Sequence, residues 1–373
     1  MAVVVAVVAS ALAATTAVPG ASADTLLIES FGHAAVSDGS AWSSGGSGAA
    51  ETGWPGGACL TAGTDTTQGP IPGCGLPGPD DDGEGVLRLT PKSLAVAGFA
   101  LHNEALPTTG GLDISFKQAQ WGSGGYAADG IAFYLVDGGT DLAEPGGSGG
   151  SLGYAAGNDG AGNFGTGIAH GLLGIGIDKW GNFSLPGSSG SGCAAGTGVG
   201  SMGPGQTPNV VAVRGPGNGS AGYCWLAASG DLGSVLYGDN TRSGATVDVH
   251  IVVDPSTDAD PKVTVSLDGT QVLQIAEPAE LLASTSFKFG FSSSTGAVTD
   301  VHEVWDLSID SVIPVPPSTT STSTSTTTAT STRGGPGSSV PSTTTTQATD
   351  GTAPPEPATP AAPVDGATPT YTG

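Results

Sequence analysis

Runs in which every second residue is apolar recur along this chain, separated by turns rich in glycine and proline. The clearest runs are VDVHIVV (247–253), FKFGFS (287–292), GIAFYLVD (130–137) and VVAVRG (210–215). A period of two is typical of β-strands, because successive side chains point to opposite faces. Asp268–Gly269 lies between KVTVSL and TQVLQI and predicts a hairpin. No segment has the apolar spacing of a three-turn amphipathic helix, so the sequence predicts an all-β sandwich of antiparallel sheets.

Composition divides the chain into three zones. Residues 1–23 combine an apolar run with the small-residue site Ala21-Ser22-Ala23, which indicates a secretory signal peptide. Residues 24–313 carry the strand-like alternation and form the predicted domain. Residues 314–373 are dominated by Ser, Thr and Pro, a composition that cannot bury a core, and they are predicted to be a disordered tail. We therefore expect a secreted or cell-surface protein.

The chain has four cysteines, an even number that suits disulfides in an exported protein. Cys59 and Cys74 lie close together in one loop, and Cys193 and Cys224 flank another. Three pairings are available, and the spacing favours the local one, Cys59–Cys74 with Cys193–Cys224. Metal binding by these thiols is not expected, because no C-x-x-C spacing occurs.

Charge excludes two classes of partner. The formal net charge is −24, and the whole chain contains only nine Lys and Arg. Binding to nucleic acid or to an anionic membrane surface requires clustered cations, which are absent from the sequence. The apolar run at the start is shorter than the ~18 residues that a membrane span needs, so direct membrane insertion is not expected either.

The stretch GLLGIGIDKWGNFS (171–184) carries the first candidate site residues. Its first half alternates Leu and Ile with Gly, as in a buried strand. Asp178, Trp180 and Asn182 then follow at two-residue steps, so in an extended chain they project to one side. A carboxylate, an aromatic ring and an amide would therefore share one face at the end of a strand.

Three other segments accompany this stretch in a fixed order. They are YAADGIAFYLV (126–136), GGSLGY (149–154), and FKFGFSSSTG (287–296) followed by HEVWDLSI (302–309). The ordered set resembles the L-type (legume-like) lectins, and the Gly/Cys-rich spacers are similar to those of bacterial secreted members. The resemblance covers most of residues 24–313. It implies a concanavalin A-like jelly-roll sandwich that binds glycans or cell-surface polysaccharide in a shallow pocket made by four loops.

The resemblance also assigns roles to individual residues. Asp129 would accept hydrogen bonds from two sugar hydroxyls, and the peptide bond before it is expected to be cis. Gly150 would donate its backbone N–H, and the amide of Asn182 would both donate and accept. Trp180 would stack on the apolar face of the sugar, and the loop from Ala297 to Asp300 would tune selectivity. Mixed donors, acceptors and a ring suit the chemistry of a sugar.

Calcium is the cofactor that the resemblance implies, with Asp178 and Asn182 among its ligands. The pattern weakens here, because Gly176 stands where the family has an acid, and residues 183–230 contain no Asp, Glu or His. Calcium prefers about six to eight oxygen ligands. It would have to use Asp178, the Trp180 carbonyl, Asn182 and water, with Asp137 or Asp141 as candidates for an acid from elsewhere in the chain. The alternative is that Asp178 accepts backbone hydrogen bonds and shapes a metal-free loop.

Two other functions remain as alternatives to sugar binding. One is a structural or adhesion module with a degenerate site, and the other is a glycoside hydrolase on the same fold. A retaining glycosidase needs two carboxyl groups about 5 to 5.5 Å apart. Asp178 has no acidic partner on its own strand, and Glu303 and Asp306 face opposite sides of theirs. No nucleophile motif such as G-x-S-x-G occurs, so we expect a protein that is not an enzyme.

Overall fold

The computed structural model describes residues 23–48, 54–75, 79–123, 127–157, 165–237, 239–254 and 261–313. Residues 1–22 of the predicted signal peptide (residues 1–23) lie outside the described residues, and so does the predicted tail, residues 314–373. The described part is mostly β-structure arranged in two antiparallel sheets, which confirms the predicted fold class.

The strands are numerous and range from two to eleven residues in length. In chain order they are β1 (Thr25–Glu29), β2 (Trp42–Ser47), β3 (Cys59–Leu60), β4 (Leu87–Thr90), β5 (Ala97–Pro107), β6 (Leu112–Trp121), β7 (Gly130–Asp137), β8 (Gly171–Asp178), β9 (Val210–Arg214), β10 (Gly217–Asn218), β11 (Ala221–Gly222), β12 (Trp225–Ala228), β13 (Thr246–Asp254), β14 (Lys262–Leu267), β15 (Thr270–Ala276), β16 (Ser286–Ser294) and β17 (Val301–Asp310). The helices are α1 (Ser234–Tyr237), α2 (Ala279–Ala283) and 3-10 turns at Gly149–Ser151, Asn182–Ser184 and Pro186–Ser188. No helix in the described part of the chain has the length and apolar character needed to cross a membrane.

Each sheet combines strands that are distant in sequence. The eight-stranded sheet has the order β15-β14-β13-β6-β17-β4-β3, with β1 also pairing to β17. The nine-stranded sheet has the order β11-β10-β8-β7-β16-β5-β2, with β9 pairing to β8 and β12 to β9. The predicted hairpin is confirmed: β14 and β15 pair around Asp268 and Gly269, whose φ angles of 48° and 73° suit a tight turn.

The main core lies between the two sheets. Phe116 of the eight-stranded sheet contacts Phe133 and Phe291 of the nine-stranded sheet, with ring centroids 5.9 and 5.1 Å apart. Every residue of β7 up to Val136 is buried, so both faces of this strand are covered. Burial on both faces explains why its sequence is a nearly continuous apolar run and does not alternate strictly.

A second cluster of buried residues covers the outer face of the nine-stranded sheet, where loops pack on β7 and β8. Tyr134, Tyr154 and Phe183 belong to it. A methyl group built on Gly174 would lie 2.2 Å from the Tyr154 ring, and one on Gly176 would lie 2.6 Å from the Phe183 ring. Glycine alternates with Leu and Ile in β8 because aromatic rings of the covering loops lie directly on its backbone.

The structure pairs the four cysteines in the locally spaced way, Cys59 with Cys74 and Cys193 with Cys224. The first disulfide fixes the loop that follows β3. The second joins the long segment after β8 to the residues just before β12, so it closes part of the layer that covers the nine-stranded sheet. Cross-links of this kind stabilise a fold mainly by restricting the unfolded chain.

Candidate functional site

The candidate site lies where three neighbouring strands of the nine-stranded sheet reach the same edge. Gly130, the first residue of β7, pairs with Asp178 at the end of β8 and with Ser294 at the end of β16. This register brings the residue before β7 and the loops after β8 and β16 to one place. It positions Asp129 next to segments that lie about 50 and 165 residues further along the chain.

Asp129 is held mainly through its backbone. The Ala128–Asp129 peptide bond is cis, as the resemblance implied. The Asp129 N–H donates to the Ser294 carbonyl at 2.9 Å, and the Asp129 carbonyl accepts from the Trp180 N–H at 2.9 Å. The Ser294 hydroxyl donates to Asp129 Oδ2 at 3.3 Å. Asp129 is only 5 % exposed, and burial raises the pKa of its carboxyl group to about 6.

Gly150 and Asn182 are in direct contact. Gly150 lies in the 3-10 turn at Gly149–Ser151, and a methyl group built on it would lie 2.4 Å from Cβ of Asn182. The one hydrogen of the Ser294 hydroxyl is shared between Asp129 Oδ2 and the Gly149 carbonyl, which lies 3.0 Å from Oγ. Ser294 therefore links the turn that carries Gly150 to Asp129. A glycine is required at position 150 because any larger residue would displace Asn182.

The loop after β8 presents Trp180 beside these residues, with its side chain half-buried. The Trp180 carbonyl accepts a hydrogen bond from Gln206 Nε2 at 3.0 Å. Ala297 is exposed in the loop after β16. The contact that joins this loop to the loop after β8 is a buried ion pair, in which Lys179 Nζ lies 2.6 Å from Asp300 Oδ2. The structure thus connects the two loops through Lys179 and Asp300.

Asp178 shapes the loop that follows it. Its side chain is fully buried, Oδ1 accepts from the Gly181 N–H and Oδ2 from the Phe183 N–H, both at 2.7 Å. Burial raises the pKa of Asp178, and the two N–H donors and the Arg214 guanidinium oppose this shift. This geometry matches the alternative stated above, in which Asp178 binds backbone groups.

The residues present do not fit a calcium ion. Within the described ranges no group of three or more His, Cys, Asp or Glu side chains could hold a metal. Both oxygens of Asp178 already accept hydrogen bonds. Asp137 lies at the far end of β7 from Gly130, about 20 Å away at the usual rise per residue. Asp178 and Asn182 together fall well short of the about six to eight oxygens that calcium takes.

Sequence reasoning missed three residues that hold this site together: Ser294, Lys179 and Arg214. Ser294 lies in the segment FSSSTG (291–296), and the sequence assigned no contact to any individual serine of this segment. Lys179 and Arg214 are two of only nine cations in the chain, and both are buried, at 3 % and 0 % exposure. In a chain with so few cations, a lysine and an arginine next to apolar strands are a signal that could have identified both.

Comparisons with known proteins concern the fold. No protein-family model matches the chain, and no curated protein matches it. A lectin from Bauhinia forficata in complex with GalNAc is 13% identical, with 78% of this chain and 100% of that chain covered and a TM-score of 0.44. Peanut lectin with a nine-residue peptide is 18% identical, with 74% and 99% covered and a TM-score of 0.39. The VIP36 exoplasmic/lumenal domain with Ca²⁺ and mannose is 15% identical, with 74% and 85% covered and a TM-score of 0.41.

Proposed function

We propose that this chain is a lectin-like protein that binds sugars reversibly in a shallow site formed by Asp129, Gly150, Trp180, Asn182 and the loop at Ala297. The observation that carries the proposal is the burial of the Asp129 carboxylate with few hydrogen-bond donors around it. It is buried, and among the described residues it accepts a single side-chain hydrogen bond, the 3.3 Å bond from Ser294. A carboxylate offers about four acceptor positions, and buried polar groups are normally satisfied. Hydroxyl groups of a ligand would supply the missing donors.

The groups around Asp129 complement a sugar in the same way. The Asn182 amide can both donate and accept hydrogen bonds, and the Gly150 N–H can donate. The half-buried ring of Trp180 offers an apolar surface to the C–H face of a pyranose. A site with one carboxylate, one amide, one backbone donor and one ring fits a polyhydroxylated ligand better than it fits an anion or a lipid.

The partners would be glycans or cell-surface polysaccharide, because the signal peptide predicts export. Binding at one shallow site competes with water, so we expect a dissociation constant of roughly millimolar to micromolar. Firm attachment to a surface would then need several sites acting together.

The first experiment is a glycan array with the full chain, in parallel with Asp129→Ala and with Asp137→Ala as the matched control. Asp137 lies at the other end of the same strand, where its carboxylate accepts a turn N–H from Gly139. We expect binding by the wild type and by Asp137→Ala, and loss of binding in Asp129→Ala. If the folded wild type binds no glycan, the proposal fails and the structural-module function replaces it.

Hydrolysis of a bound sugar is the weaker alternative, although Asp129 and Asp178 lie on neighbouring strands. In a retaining glycosidase both carboxyl groups must reach the sugar. Asp178 is fully buried, and each of its oxygens accepts a backbone N–H. We therefore expect binding without bond cleavage, and release of reducing sugar from a bound oligosaccharide would contradict this.

Replacing Gly150 with Ala is expected to weaken sugar binding by about tenfold or more, because a displaced Asn182 would lose the two hydrogen bonds of its amide to the sugar, worth about 1 kcal/mol each. The added methyl group would meet Cβ of Asn182 at 2.4 Å, so Asn182 must move. Gly198→Ala is the control, because a methyl group there meets nothing within 4 Å. The measurement is a binding titration with the best array ligand. Equal affinities of the two variants would show that Asn182 does not contact the sugar.

A further inference from the structure

Arg214, in β9, is a fully buried cation on the face of the nine-stranded sheet that the loops cover. Its guanidinium uses all of its N–H groups. Their acceptors are the carbonyls of Phe183 (2.7 Å), Leu185 (2.7 Å), Tyr223 (2.7 Å) and Met202 (3.3 Å), and the hydroxyl of Ser189 (3.0 Å). A charge buried this deeply is tolerated only where its hydrogen bonds are complete.

These acceptors belong mainly to the segment that directly follows Asn182. Phe183 is held from both sides, because its N–H donates to Asp178 and its carbonyl accepts from Arg214 Nε. The carboxylate thus fixes N–H groups of the turn, and the guanidinium fixes its carbonyls. Asn182 lies inside this arrangement, between Gly181, whose N–H also binds Asp178, and Phe183.

The space around Gly176 is closed to a further acidic ligand. The Phe183 ring lies on Gly176, and Arg214 also lies over this ring, with its guanidinium carbon 5.5 Å from the centroid. A side chain larger than glycine at position 176 would clash with the ring at 2.6 Å. A hard cation binds backbone carbonyls and carboxylates. Here the Arg214 guanidinium contacts the carbonyls, and backbone N–H groups contact the Asp178 carboxylate.

We infer that Arg214 takes the place of a bound metal ion as the cation that holds residues 181–189 in shape, so that the order of this loop requires no metal. The planar fork of an arginine suits this work, because it reaches several acceptors at fixed angles. The inference that Arg214 orders this loop is independent of the proposed function. That the ordered loop holds Asn182 ready for a sugar rests on the proposed function.

The first test uses the wild-type chain and metal. The protein is stripped with a chelator and then given calcium or manganese at about 5 mM, and thermal unfolding and metal content are measured. A ligand that binds the folded state shifts the unfolding temperature by mass action, so we expect shifts below about 1 °C. Stoichiometric metal in the purified protein, or a calcium-dependent rise of several degrees, would overturn the inference.

The second test is amide hydrogen exchange in Arg214→Met and Arg214→Lys, with Arg242→Met as the control. Arg242 is another arginine with buried carboxylate contacts, to Glu303 of β17 in the other sheet. In the Arg214 variants we expect residues 181–189 to exchange at least about tenfold faster relative to β7. In Arg242→Met the ratio of loop to β7 exchange should stay unchanged.

Lysine keeps the charge of Arg214 but cannot reach five acceptors, so Arg214→Lys should show the same loop effect more weakly. Wild-type protection of the loop in either Arg214 variant would contradict the inference. If neither variant folds, the metal test on the wild type decides alone. If the protein binds no sugar, both tests still apply, so failure of the proposed function and failure of this inference are distinguishable.

Discussion

Replacing Lys179 with Met is expected to lower the free energy of unfolding by about 3–5 kcal/mol. Lys179 Nζ lies 2.6 Å from Asp300 Oδ2, and the side chains are only 1% and 0% exposed. Without the ammonium group, the Asp300 carboxylate would remain buried with only neutral backbone N–H donors among the described residues, those of Ser123 at 3.1 Å and Val301. Substitutions that leave a buried charge without its counter-ion are among the most destabilising single changes in proteins. Denaturant unfolding of the purified variant measures the loss.

Two further variants test whether the loss of stability comes from the burial of the Asp300 charge. The double change Lys179→Met with Asp300→Asn should recover part of the loss, because it removes the buried charge as well as its partner. Lys117→Met breaks a pair of similar length with Asp306, 2.8 Å, in which the side chains are 41% and 50% exposed. Breaking that pair should cost less than about 1 kcal/mol. If Lys179→Met costs no more than Lys117→Met, the loops after β8 and β16 are not held by the Lys179–Asp300 pair.

Replacing Asp129 with Asn is expected to abolish sugar binding and to make the unliganded protein more stable at neutral pH. Burial raises the pKa of Asp129 from 3.8 to about 6, so the folded state binds this proton more tightly than the unfolded state. The stability from this proton is complete below about pH 4 and is lost as the pH rises through 6. At neutral pH the buried charge therefore costs about 3 kcal/mol. Asparagine has the same shape without the charge, and its oxygen can still accept from Ser294.

Two measurements check the prediction for Asp129. At about pH 7.5 the free energy of unfolding of Asp129→Asn should exceed that of the wild type. This difference in stability should vanish near pH 4. Sugar affinity of the wild type should fall about tenfold between pH 7 and pH 5, because only the ionised carboxylate accepts two hydroxyls. Asp178 is the other acid of this region, and its own carboxylate is occupied by backbone N–H groups. A less stable Asn variant, or affinity that does not change with pH, would contradict the role given to Asp129.

The strands could be predicted because their information is local. The alternation in VDVHIVV (247–253) corresponds to β13, in which Val247, Val249, Ile251 and Val253 are buried against the main core. The turn at Asp268–Gly269 required nothing beyond two adjacent residues. Neighbouring positions along the chain decide which residues face the core, and the printed sequence contains that pattern directly.

The partners that hold the site could not be predicted, because they are distant in sequence. Lys179 and Asp300 are 121 residues apart, and Arg214 reaches back 31 residues to Phe183. Local alternation gives the face of a strand but not the loop that covers it. The resemblance implied a metal-ligand role for Asp178, but the sequence could not show the two backbone N–H groups that Asp178 binds.

The order of strands in the eight-stranded sheet has a consequence for when this protein can fold. β6 lies between β13 and β17, and β1 pairs with β17, so both early strands obtain neighbours only from the last third of the domain. While the chain is being made, β3 and β4 can pair within its first hundred or so residues, but β1 has no partner in that sheet until β17 is complete. Folding must await the final strand, and pairing over such separations is slow. Until residue 310 has been made, the edge of β1 therefore lacks its partner in the sheet, and such unpaired edges can pair with other chains.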